Sequence, residues 1–211
     1  MRVNSRYGKE KTDMLFRITF LFTFVLFWGI RGYYVRKTKF GKKSRSERLQ
    51  AIREEGKASS FLLLVVFWIY ITIAAMYLLD LDIIAWSYIP LITELRALGV
   101  ILGSISIAYV FWAHHVLREN YSAMLETSQE QKLIKEGPYG RVRHPIYSAH
   151  VLLDIALVFI SGNWLLLLIF IISMPFTYKR IFNEEKMMIE EFGEEYENYM
   201  KETGRLFPKI P

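Results

Sequence analysis

Long apolar runs alternate with compact charged stretches along this chain, and the runs approach the length of membrane-crossing helices. Ile18 to Ile30 carries no charge. Arg17, Arg31 and Arg36 flank it, and their long stems let the charged heads reach a polar surface, so a first span is expected over about 15–35. Ser59 to Leu79 runs for 21 residues without a charge and is the clearest span. Leu95 to Val116 forms the third, with Gly99 and Gly103 four apart as a small-residue face for close helix approach. Pro145 to Ile160 and Trp164 to Tyr178 are shorter and flank Ser161-Gly162-Asn163, the pattern of a tight helical hairpin near the lower length limit for crossing. From Lys179 the pattern turns amphipathic. Ile181, Met188, Phe192, Tyr196 and Tyr199 recur near helical spacing, so a helix packed on the protein's own inner face is expected, ending at Gly204.

The expected fold is therefore an all-α polytopic membrane protein of about five transmembrane helices, the last two a short hairpin, with a cytosolic loop and a C-terminal helix. A single domain is expected over 1–211, with N-terminal helices and a basic loop in 1–94 and a catalytic core in 95–211. Trp86 and Tyr88, in the short turn from Asp80 to Glu94, suit a headgroup interface. The first apolar run continues past the length of a signal-peptide core and lacks a small-x-small cleavage site, so it is read as a retained anchor.

Composition and charge refine this picture. Hydrophobic residues make up 53% of the 211, aromatics 16%, and there is no cysteine. Disulfides, thiolate nucleophiles and sulfur-based metal sites are thereby excluded. The net charge of +6 would suit nucleic acid. Yet ten of the 27 Lys and Arg residues fall between Arg31 and Lys57, and none between Asp80 and Glu94. This asymmetry orients a membrane protein, with the loops 31–57 and 118–143 and the tail inside, and no nucleic-acid partner is expected.

The chemistry concentrates in Gly137-Pro138-Tyr139-Gly140-Arg141-Val142-Arg143-His144-Pro145-Ile146-Tyr147. Gly137-Pro138 signals a turn, and the glycines permit a backbone that approaches a ligand closely. Pro145 suits the first turn of a helix, which places His144 at that helix's mouth, where free N–H groups favour electronegative partners. Taken singly, Arg141, Arg143, Tyr139 and Tyr147 also fit an ordinary membrane edge. Arg180 and Glu184 share a helix face at i,i+4. Their place after the last apolar segment puts them on the side of His144, so a convergent site is geometrically open to them.

Gly137-Pro138-Tyr139, Arg143-His144-Pro145-x-Tyr147, Arg180-x-x-x-Glu184-Glu185 and Phe192-Gly193-Glu194-Glu195-Tyr196, in that order, resemble the isoprenylcysteine carboxyl methyltransferase family, a relative of membrane phospholipid methyltransferases. Trp112 to Ser122 and the ending Thr203-Gly204-Arg205-Leu206-Phe207-Pro208-Lys209 extend the likeness, the latter towards prokaryotic members. The resemblance covers roughly 95–211. It implies an integral membrane enzyme that uses S-adenosylmethionine to methylate the carboxylate of a prenylated cysteine or another lipophilic acceptor. By resemblance, Gln131, Lys132, Leu133, Ile134, Gly137, Tyr139, His144, Pro145, Ile146, Tyr147 and Glu184 line the cofactor pocket. Arg180 binds the substrate carboxylate, Arg180 and Glu184 carry catalysis, and no metal is expected. The implied partners are a lipophilic substrate and the bilayer. The implied active site faces the cytosol, at the plasma membrane if the source is a prokaryote.

The chain also departs from the family. Ser148-Ala149-His150 follows the second tyrosine, where a small residue is common. Asp154 stands four residues beyond His150, so an i,i+4 pair is expected. His114 and His115 are read as interfacial, with no metal-ligand spacing. The acceptor stays open between a prenylated cysteine, a phospholipid and another small lipophilic molecule. An NADPH-dependent sterol-type reductase and a non-enzymatic scaffold or transporter subunit are the alternatives of other classes.

Overall fold

The computed structural model describes residues 2–37, 57–117 and 133–209. Six α-helices run through them: α1 (Arg2–Lys37), α2 (Lys57–Leu78), α3 (Thr93–Leu117), α4 (Pro145–Ser161), α5 (Trp164–Phe192) and α6 (Glu194–Glu202). Among the described residues there is no strand, only two isolated bridges. Thr12–Lys37, Thr93–Leu117 and Trp164–Phe192 are long and apolar enough to cross a bilayer, and Leu64–Leu78 and Pro145–Ser161 are shorter apolar helices. The chain is thus an all-helical polytopic membrane protein. Most of the basic loop expected over 31–57 lies outside the described residues.

The expected small-residue face is present and used. Gly99 is buried against α4 and Gly103 chiefly against Thr23 of α1, and among the described residues α3 packs most extensively on α4. A Cβ added at Gly99 would stand 2.8 Å from both Phe159 Cβ and Ile160 N. Close approach is what such residues supply in a membrane, where dispersion contacts replace the hydrophobic driving force. Ser106 Oγ adds a bond of 2.8 Å to the Ala149 carbonyl across the same seam. Phe20 and Phe27 of α1, Val110 of α3, Leu153, Leu157 and Ile160 of α4 and Leu166 of α5 fill the core, each at most 2% exposed.

The hairpin forms as expected, and local chemistry explains it. Gly162 adopts the left-handed conformation (φ 65°) that closes α4, and its backbone lies against the Ile89 carbonyl. Asn163 caps α5 by accepting from Leu165 N at 2.9 Å, and its amide donates to Ser87 Oγ at 2.7 Å. At the same end Arg96 donates to the Ile160 carbonyl and to Asp13, and Arg17 pairs with Asp80, which ties α1 to the turn after α2.

Two expectations are corrected. The polar stretch from Lys179 does not begin a separate helix: α5 runs unbroken, through Pro175, to Phe192. A break falls at Gly193 (φ 52°), because only glycine takes that conformation without strain, and α6 then ends at Glu202, just before Gly204 as expected. The consequence is functional, since α5 carries Arg180 and Glu184 rigidly out of its apolar half. His114 is fully buried and stacks on Tyr34, with centroids 5.2 Å apart, rather than lying at an interface. Its helix face turns inward, while His115 one position on stacks against Phe111 on the outside.

Candidate functional site

The site is built where the loop 133–144, the start of α4, the polar half of α5 and the tail after α6 meet. Gly137 (φ 57°) opens a short 3-10 turn, Gly137–Gly140, and a Cβ there would press on Val116 and Trp112 of α3. This seats Tyr139, which with Ile146 packs on Ala113 and is flanked by Val116, Leu117 and Ile134. Tyr199 of α6 donates to the Tyr139 carbonyl at 2.7 Å. Pro145 starts α4, as its fixed dihedral favours, and leaves His144 at the mouth of that helix.

Four of the expected residues converge. Tyr147 donates to Glu184 Oε1 at 2.5 Å. Arg180 Nε donates to the Tyr147 hydroxyl at 2.8 Å and reaches Glu184 Oε1 at 3.4 Å. His144 Nδ1 stands 3.6 Å from Glu184 Oε2. Ile134, Tyr139 and Ile146 form an adjoining apolar wall with Pro145 buried beneath, Leu133 is half-buried nearby, and Gly137 is exposed beside Trp112. Gln131 and Lys132 lie outside the described residues. No cluster of metal-ligating side chains occurs among the described residues.

Sequence reasoning missed the second half of the construction. Glu185, one residue past Glu184, is 3% exposed and held by two arginines. Arg143 Nε donates to it at 3.0 Å, and Arg205 grips both carboxylate oxygens, at 3.1 and 2.6 Å. His144 Nε2 stands 3.4 Å from Glu185 Oε1, so the imidazole lies between two carboxylates. Burial alone would lower the His144 pKa, but hydrogen bonding and charge from Glu184 and Glu185 outweigh it and raise the value above 6.5. The ring that gains this upward shift is itself only 8% exposed.

The tail seals this arrangement. Arg143 N donates to the Gly204 carbonyl, His144 N to Arg205, and Gly204 N to Arg141, a short parallel pairing of loop and tail. Arg143 also donates to the Met200 and Thr203 carbonyls, and Ser148 Oγ to Leu206 at 2.6 Å. The sequence signal for it was the pair of arginines at 143 and 205, but nothing in their spacing says that they share Glu185.

Residues 97–190 match the model of the isoprenylcysteine carboxyl methyltransferase (ICMT) family. Protein-S-isoprenylcysteine O-methyltransferase of Saccharomyces cerevisiae is 35% identical over 135 residues, which are 62% of this chain and 55% of that protein. The Schizosaccharomyces pombe protein of the same name is 31% identical over 85 residues, 40% of this chain and 36% of the relative. The chain therefore spans only about a third to a half of the curated relatives it matches. A solved structure of the eukaryotic intramembrane Ras methyltransferase ICMT shares the fold, with a TM-score of 0.52 and 21% identity over 80% of this chain and 54% of that one.

Proposed function

Because residues 97–190 match the ICMT family model, we propose that this chain transfers a methyl group from S-adenosylmethionine to the carboxylate of a prenylated cysteine or close analogue at the membrane. The observation that carries this is the cluster of Arg180, Tyr147, Glu184 and His144, which gathers cationic and anionic groups at one point above apolar helices. Such a set suits a zwitterionic amino acid end beside a hydrophobic chain. Glu184 is the acceptor for an α-amino or ribose donor, and His144 with backbone N–H groups near Gly137 meets a carboxylate. Tyr139, Ile146 and Ile134 supply the apolar wall for an adenine ring, and tyrosine faces attract a sulfonium cation.

When bound, S-adenosylmethionine supplies an electrophilic methyl, so that its C–S bond breaks as a C–O bond forms and thioether and methyl ester result. The residues of this chain have only to bind and orient. A carboxylate acceptor is already ionised at neutral pH and releases no proton on methylation, so no general base is required. Arg180 presents a planar guanidinium for the acceptor carboxylate, held at a fixed angle by the Tyr147 hydroxyl. Loop and tail, paired through Arg143, Gly204 and Arg205, exclude water from the reacting end. In the orientation given by the charge asymmetry of the loops, this end faces the cytosol.

The test is binding of S-adenosylhomocysteine to the detergent-solubilised protein, followed by labelled-methyl transfer to a farnesylcysteine analogue. Binding and transfer are expected for the native chain, with binding lost in Glu184→Ala and His144→Ala. Undiminished binding in both variants would sink the site assignment, and tight NADPH binding without S-adenosylhomocysteine binding would replace the reaction itself.

A further inference from the structure

Tyr147, His150 and Asp154 fall on one face of α4, at i, i+3 and i+7. At 1.5 Å per residue, this stripe leads from the site into the apolar part of the fold for roughly 10 Å. Its upper end, Tyr147, is the hydroxyl shared by Arg180 and Glu184.

The expected His150–Asp154 pair does not form. His150 Nδ1 lies 2.7 Å from the Ile146 carbonyl, so it donates there and leaves Nε2 as the acceptor nitrogen. The ring stands edge-on to Phe27 and Trp28 of α1, at 4.9 and 5.4 Å between centroids. Asp154 instead faces α2, beside the Tyr70 hydroxyl. Tyr70 is 9% exposed, yet its buried Oη has no hydrogen bond of normal geometry, and the buried Trp28 Nε1 has no partner. A carboxylate offers about four acceptor positions, and a single tyrosine hydroxyl fills at most one of them. His150 and Asp154 are themselves half-buried.

Polar and ionisable groups inside a bilayer are costly and persist where they have something to bind. Here four of them fall in two neighbouring pairs, Trp28 of α1 against the ring of His150 and Tyr70 of α2 beside Asp154, below the proposed reacting end. We propose that the face of Tyr147, His150 and Asp154 is a specificity track for the methyl acceptor. It selects a lipophilic chain that carries a hydrogen-bond donor, such as a hydroxyl, one to two helical turns below the accepting carboxylate. An unsubstituted polyprenyl chain leaves the acceptors of this track unmet. The inference rests on the methyl-transfer reading above and names the acceptor class for that same site.

The experiment compares labelled-methyl transfer to S-farnesylcysteine and to an analogue hydroxylated along the farnesyl chain, with the full chain in lipid nanodiscs. The hydroxylated acceptor is expected to show a kcat/KM about tenfold higher in the native protein, as one added hydrogen bond gives. His150→Phe and Asp154→Leu are expected to bring that ratio towards one, and Asp154→Asn to retain part of it through its amide oxygen. Thermal stabilisation by S-adenosylhomocysteine is expected to be unchanged in all three. Equal kcat/KM in the native protein overturns the track while leaving methyl transfer intact. So does a preference that survives both apolar variants, or variants that lose only melting temperature, which would make the stripe helix-pairing glue. Absence of both transfer and S-adenosylhomocysteine stabilisation removes the methyltransferase reading and the track with it.

Discussion

Arg205 grips Glu185 through both carboxylate oxygens, Nε to Oε1 at 3.1 Å and Nη2 to Oε2 at 2.6 Å, twenty residues apart in the chain. Glu185 is thereby the post to which the tail is tied, while Arg143 reaches the same carboxylate from the loop. Glu185→Ala strips the counter-charge from two arginines at once, and Arg143 is nearly as buried as its partner. The expected loss is about 3 kcal/mol of stability, the order found when one member of a buried pair is removed. Arg205, more exposed, should cost less when changed to Lys. Thermal unfolding in detergent checks the ranking, and equal melting temperatures for Glu185→Ala and the native protein would refute the post.

His144 carries a pH signature. Its folded pKa lies above the ordinary 6.5, because the two carboxylates outweigh burial. A raised folded value means that the stabilising contribution is complete below about 6.5 and is lost as pH rises through the folded value. Stability and S-adenosylhomocysteine affinity should therefore decline together on the alkaline side. His144→Gln should flatten that limb of the profile.

Gly204 is sterically fixed. A Cβ placed there would lie 1.7 Å from the Phe207 carbonyl oxygen, so the tail cannot keep its path with any other residue. Gly204→Ala should release the tail from the loop while leaving the membrane helices folded. Limited proteolysis after Arg205 and Lys209 should speed up severalfold with little change in helical circular dichroism.

Tyr147 connects the two charged groups of the site. Its hydroxyl donates to Glu184 and accepts from Arg180, so Tyr147→Phe removes two hydrogen bonds to charged groups. At roughly 1.5–3 kcal/mol for a bond of this kind, kcat/KM for the acceptor should fall about ten- to a hundredfold. Steady-state methyl-transfer kinetics with the acceptor varied would show it.

The seam between α3 and α4 should be intolerant of bulk. Gly99→Leu would drive a side chain into Phe159 Cβ and the Ile160 backbone. Overpacking of this order costs typically 1–3 kcal/mol. The change at Gly29, where a Cβ meets nothing within 4 Å, should be neutral in the same detergent melt.

Much of the fold was legible before any coordinates. Apolar runs fix which segments become membrane helices, because a bilayer leaves backbone polar groups no alternative to helical bonding. Gly162 and Asn163 marked the hairpin, Gly99 and Gly103 the close seam, and Gly137-Pro138 the turn that seats Tyr139. Arg180, Glu184, His144 and Tyr147 were also legible as candidates, from side-chain chemistry together with the ordered motifs.

Three things were left to the tertiary structure. Glu184 and Glu185 are identical in chemistry, but successive residues on a helix point about 100° apart. One therefore faces Tyr147 and Arg180, and the other Arg143 and Arg205. The tail's pairing with the loop joins residues some sixty apart, and no local pattern encodes which distant backbone will meet which. His150 turned to the Ile146 carbonyl and Asp154 to Tyr70 of another helix, because where α1 and α2 dock decides which polar neighbour each side chain finds. Sequence alone set the helices, the hairpin and the chemical types at the membrane edge. Only the packing of α1, α5 and the tail against α4 decided which of those groups touch, since contact between residues far apart in the chain is a property of the whole fold.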